Sequence, residues 1–142
     1  MESPPKPKTR VGVFNDTSGS GHYGCVAVMG TLRRLLAVNG MEIVWTWPVG
    51  KDWRLYADEM PQKGYVDAVI VNGEGTMHHD TDRPRVVALA EVANLAHDKL
   101  GVPAFLVNAT LYQNSKALYD LVHNFDRVFV RDELSREELE SF

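Results

Sequence analysis

The stretch Val69-Ile-Val-Asn72-Gly-Glu-Gly-Thr-Met-His-His-Asp80 passes in one step from apolar, largely β-branched residues to glycines and polar side chains. A run of this kind, buried on both faces and stopping abruptly, reads as a parallel strand that delivers its carboxyl end to a ligand crevice. The pattern recurs on either side. Val11-Gly-Val-Phe-Asn15 flows into Asp16-Thr-Ser-Gly-Ser-Gly-His-Tyr-Gly24, and Phe105-Leu-Val-Asn108 also ends on asparagine. Short apolar runs at Ile43 to Trp45 and Val128 to Val130 bring the strands to five.

Amphipathic segments separate these runs. Val26 to Val38 places Val28, Leu32, Leu35 and Leu36 at helical spacing, with Gly40 as its stop. Arg85 to Leu100 repeats the pattern through Val86, Leu89, Ala93 and Ala96, with Asp82 as expected N-cap, Pro84 in the first turn and Gly101 beyond the end. Lys116 to Phe125 is a shorter helix and Asp52 to Met60 a weaker one. Strand and helix in alternation imply a parallel sheet with helices on both faces. The expectation is a three-layer, Rossmann-like α/β domain over residues 10–142, after a polar, proline-rich leader over 1–9, with strand order 3-2-1-4-5. In that order the loops after the first, third and fourth strands share one rim.

Composition narrows the partners. The 142 residues carry a net charge of −4 and no long basic stripe, which argues against nucleic acid. No apolar stretch approaches the ~20 residues of a bilayer span, so no integral membrane segment is expected. One cysteine, Cys25, excludes an internal disulfide and suits a reducing, cytoplasmic setting. Near the carboxyl terminus Ser135-Arg-Glu-Glu138 has the form of a capping box, yet Phe142 follows almost at once. We expect an amino-terminal lobe of a longer protein, or a homo-oligomer covering the same apolar surface.

Candidate site residues sit in the loops. Gly19, Gly21 and Gly24 match G-x-G-x-x-G, but Asn15, Asp16 and Ser18 lie between strand and glycines, and Thr46-Trp-Pro48 stands where a dinucleotide site needs an acid. The loop reads instead as an anion or sugar contact, or as a tight turn alone. His22 within it is a candidate acid, base or bystander. Cys25 at the helix start is a candidate thiolate or a small buried hydrophobe. Glu74, between Gly73 and Gly75, presents a carboxylate where a ligand can approach closely, with Thr76, His78 and His79 following. The adjacent histidines and Asp80 lack the spacing of a ligand set, so no metal is expected. Asn72 and Asn108 mark strand ends. Arg131 suits a carboxylate or phosphate, or stands in solvent beside an Asp132 N-cap. Trp45, Trp47 and Trp53 could stack on a sugar ring or fill the core.

Three segments together resemble the polysaccharide pyruvyl transferase family: Asn15 to Cys25 leading into a helix, Val71-Asn-Gly-Glu-Gly-Thr-Met-His-His-Asp80, and Val130-Arg-Asp-Glu-Leu-Ser135. Where the family's first loop is closer to Gly-Asn-x-Gly-Asp, this chain has His-Tyr-Gly-Cys. The resemblance covers the amino-terminal half of such a protein. It implies a two-lobed architecture similar to GT-B glycosyltransferases and transfer of pyruvate from phosphoenolpyruvate, as co-substrate and without another cofactor, to a saccharide hydroxyl pair as a ketal. Within it Glu74 is the expected base, His78 or His79 the acid, and the Gly19 to Gly24 loop a substrate contact. A GT-B-type glycosyltransferase lobe using a nucleotide sugar, and a non-catalytic Rossmann-like module for a small anion or a partner chain, are the alternatives.

Overall fold

The computed structural model of the chain describes residues 2–142. Strand β1 (Thr9–Asp16) leads to α1 (Tyr23–Val38), β2 (Met41–Pro48), a 3-10 segment (Trp53–Lys63) and β3 (Ala68–Glu74). Then follow α2 (Pro84–Ala90), α3 (Val92–Leu95), a π turn (Ala96–Leu100), β4 (Ala104–Ala109), α4 (Lys116–Val122), β5 (Arg127–Val130) and α5 (Glu133–Glu140). All four strand pairings are parallel. The domain is Rossmann-like α/β, as expected, and no helix among the described residues is long and apolar enough to cross a membrane.

The strand order is β2-β1-β3-β4-β5, not the expected 3-2-1-4-5. The reason lies in β3. All seven of its residues are buried, whereas β2 is mostly half-buried with only two buried positions and β5 alternates between exposed and half-buried ones. A uniformly apolar strand is stable with neighbours on both sides and costly at an edge, so β3 takes the centre.

That order dictates the layers. The chain steps one way from β1 to β2 and the other way from β2 to β3, β4 and β5. Right-handed crossovers therefore put α1 on one face and the later connections on the opposite face. Two cores result. Val11, Val13, Met29, Leu36, Ala68 and Ile70 pack under α1, while Phe14, the three tryptophans, Met60, Met77, Leu106 and Tyr119 belong to the larger core opposite. All three tryptophans are buried, which is the core reading of the two offered for them.

Two expected caps are corrected. Asp82 does not cap α2, since it ends a 3-10 turn (Asp80–Asp82) and Arg83 occupies the cap position without a side-chain bond. Asp80 accounts for the difference: its carboxylate accepts from the Ser115 amide at 2.7 Å and hydroxyl at 2.6 Å, which tightens the chain one turn early. At α5 the cap is Asp132, accepting from the Ser135 amide at 2.8 Å. Ser135 is buried and its hydroxyl accepts instead from the Leu111 amide, so the Ser135 to Glu138 motif does not form a capping box. Gly101 does close its helix, at φ 66°.

Candidate functional site

A non-glycine residue in the left-handed region costs about 1–2 kcal/mol, and such residues gather where function fixes the backbone. Three occupy neighbouring strand ends here: Asn15 (φ 63°), Glu74 (φ 43°) and Asn108 (φ 57°). Side-chain amides tie Asn15 and Asn108 together through Asn72. Asn108 Nδ2 donates to Asn72 Oδ1 at 3.2 Å, Asn72 Nδ2 donates to the Asn15 carbonyl at 3.4 Å, and Asn15 Nδ2 donates to the Asn72 carbonyl at 2.7 Å. The asparagines that end the three apolar runs form one ladder across β1, β3 and β4. Asn15 Nδ2 also reaches Thr76 Oγ1 at 3.4 Å, tying the β1 end to the loop after β3.

Gly73 sits against β4. A Cβ there would lie 2.6 Å from Ala109 Cβ and 2.7 Å from Ala109 Cα, so only glycine lets the strands close at this point. Gly75, two residues on, has open space around it. Between them Glu74 is buried, its carbonyl accepting from the Thr110 amide at 2.9 Å. Its Oε1 accepts from Thr17 Oγ1 at 2.8 Å, and its Oε2 receives no hydrogen bond among the described residues.

Around Glu74 lies a pocket of about 280 Å³ lined by His22, Gly24, Cys25, Gly75 and Arg131. Four elements contribute to it: the loop before α1, the first turn of α1, the end of β3 and the end of β5. Arg131 is exposed, with its amide held by the Ala109 carbonyl at 2.9 Å. The pocket thus offers a carboxylate with one free oxygen, an imidazole and a guanidinium in one concavity. That set can accept a proton, exchange a second and hold an anion.

The remaining expected residues lie elsewhere. Asp16 is occupied internally, accepting from the Ser18 amide and hydroxyl and pairing with Arg33 at 3.2 Å. Burial works to raise its pKa, and the Ser18 bonds with help from Thr46 and Arg33 outweigh burial and hold it below the ordinary value. Ser18 and Gly19 form a 3-10 turn closed by Gly21 at φ 79°, with open space at both glycines. Asn72 and Asn108 border a groove beside α1.

His78 and His79 form a separate cluster. Their Nδ1 atoms are 2.7 Å apart, Arg83 reaches the His78 ring at 2.9 Å, and His79 lies edge-on to Tyr112. Neither lines the Glu74 pocket. Burial, then the Arg83 charge, holds the His78 pKa below its ordinary 6.5, so this imidazole is neutral at pH 7 and poorly suited to donate a proton. Thr17, the partner of Glu74, escaped the sequence reading. Its bond spans 57 residues, and only its place in the polar loop hinted at it. Set beside family models, curated proteins and solved structures, the chain matches none of them.

Proposed function

We propose that the chain acts as the amino-terminal lobe of a pyruvyl transferase-like enzyme, moving pyruvate from phosphoenolpyruvate to a pair of saccharide hydroxyls. The single observation behind this reading is Glu74: a buried carboxylate in a left-handed conformation, one oxygen satisfied by Thr17 and the other free, in a pocket with His22 and Arg131. In the proposed chemistry Glu74 accepts the proton of the attacking hydroxyl, whose oxygen bonds to C2 of the enol ester. His22 replaces His78 and His79 as the acid and protonates the terminal methylene, giving the methyl group. The second hydroxyl then passes its proton to the imidazole of His22, left neutral by the first step, and displaces inorganic phosphate to close the ketal. Arg131 holds the phosphate or carboxylate of the donor.

A thermal-shift panel of a neutral oligosaccharide, phosphoenolpyruvate, a nucleotide sugar and NAD tests this. Oligosaccharide and phosphoenolpyruvate are expected to stabilise the chain, by about 2.7 kcal/mol at a hundredfold excess over Kd. Glu74→Gln should weaken the first effect and Arg131→Ala the second. Stabilisation by the nucleotide sugar or NAD alone would overturn the reading.

A further inference from the structure

On the face opposite α1, a second pocket of about 210 Å³ opens beside the carboxyl ends of β1 and β2. It contains none of Glu74, His22 or Arg131. Trp47 and Trp53 form its walls, Asn15 its inner end, and Lys51, Asp52 and Arg85 its charged margin. Both indole N–H groups are committed. Trp47 Nε1 donates to the Lys51 carbonyl at 2.7 Å and Trp53 Nε1 to the Ala88 carbonyl at 2.6 Å, which fixes the walls.

The charge at this margin is one-sided. Asp52 is the only acidic residue lining the pocket, and Arg54 occupies both of its oxygens. Lys51 Nζ lies over the Trp47 ring at 4.5 Å and the Tyr56 ring at 4.4 Å and pairs with no carboxylate among the described residues. Arg85, exposed at the start of α2, likewise has no ion-pair partner there. Two cations therefore face the opening without a matching anion.

Asn15 supplies the polar requirement. It is only 3% exposed, and its Nδ2 is used within the asparagine ladder. No donor among the described residues reaches its Oδ1. That oxygen is open rather than sealed, so an occupant's O–H or N–H can supply the donor it lacks. A carboxylate alone, which only accepts, cannot supply it. Aromatic carbon suits the C–H face of a sugar ring, and the cations suit a charged substituent. The volume lies below the roughly 300–1,000 Å³ of drug-sized sites, which limits the occupant to a single ring.

We propose that this pocket binds one sugar ring carrying one anionic group, a hydroxyl of the ring donating to Asn15 Oδ1 and the anion facing Lys51 and Arg85. The site stands independently of the pyruvyl-transfer reading, since the two pockets share no residue. Titration of the chain with glucose 6-phosphate, glucuronate, glucose and inorganic phosphate, followed by tryptophan fluorescence and calorimetry, tests it. One or both charged sugars should give saturable quenching, and a preference between them identifies the anion as phosphate or carboxylate. Glucose should bind at least tenfold more weakly than the preferred sugar. Arg85→Glu and Lys51→Gln, both at exposed positions, should each raise Kd severalfold or more, while Lys116→Ala, a surface cation on α4 that does not line the pocket, should leave it unchanged. Inorganic phosphate binding as tightly as glucose 6-phosphate would remove the role of the ring, and unchanged affinity in Arg85→Glu would remove the site. Absence of saturable binding by either charged sugar would overturn the proposal outright.

Discussion

Replacing Gly73 with alanine should separate the ends of β3 and β4. The new Cβ would stand 2.6–2.7 Å from Ala109 Cβ and Cα. Carbon pairs prefer about 3.5–4.0 Å, so the strands must part by roughly an ångström. Ala109 has little freedom to yield, because its carbonyl accepts from Arg131 and the neighbouring Thr110 amide donates to Glu74, both at 2.9 Å. Overpacking costs about 1–3 kcal/mol, and weakening one of these bonds adds about 1. Lower unfolded-state entropy of alanine offsets about 0.4–1 kcal/mol, leaving a net loss of about 1–3.5. For a chain of this size that lowers Tm by roughly 3–14 °C, measured by circular dichroism and checked by urea denaturation. Gly75→Ala is the control: nothing stands within 4 Å of its Cβ position, so it should fall within about 0.5 kcal/mol of wild type. Equal melting of the two variants would refute the claim that β3 and β4 close on a glycine.

The asparagine ladder predicts coupling. Asn72→Ala removes a buried amide that serves Asn15 and Asn108 and should cost about 1–3 kcal/mol, and adding Asn108→Gly should cost less than the sum of the single changes in urea denaturation. Asp16 sets an acid dependence. Its folded pKa lies below 3.8, so its contribution is complete above the unfolded value and is lost as pH falls through the folded one. The stability gap between wild type and Asp16→Asn should therefore narrow on acidification below about pH 4. Tyr119 sets an alkaline one. Burial, then the bond to Glu138, raises its pKa above 10.0, so its contribution is present below pH 10.0 and lost as pH climbs through the folded value. Tyr119→Phe should flatten the alkaline limb of the pH–stability curve.

Five strands and the alternating helices were legible in the sequence because each apolar run is bounded by glycine or polar residues. Their order was harder to read, since a strand's composition does not name its neighbours. Ala68 to Val71 and Val128 to Val130 both read as unbroken apolar runs, and only their burial in the fold, complete in β3 and alternating in β5, tells centre from edge. In the site, the Gly73-Glu74-Gly75 segment and Arg131 were legible as strand ends on one rim. The separation of His78 and His79 from Glu74 was not. It depends on Asn114, which donates to the Met77 carbonyl at 2.9 Å and accepts from the Asp80 amide at 3.2 Å, bending the loop away through contacts 34 and 37 residues apart. Such pairings carry no local pattern.

The corrected order changes what the ladder means. With β1 and β3 adjacent, the reversal of chain direction falls between them, and in open parallel sheets that boundary is where ligands bind. Right-handed crossovers then put α1 on one side of the boundary and the later connections on the other, which yields two pockets rather than one. The Glu74 pocket is lined by the start of α1, and the tryptophan pocket by the β2 end and α2. Asn15 belongs to the second pocket, yet its amide is bonded to Asn72 and Thr76, which flank Glu74 in the chain. Perturbing the ladder should therefore disturb ligands in both pockets, whereas Arg85 should affect one and Arg131 the other. That contrast separates a shared scaffold from a single extended site: one continuous site would lose both ligands on substitution of either cation.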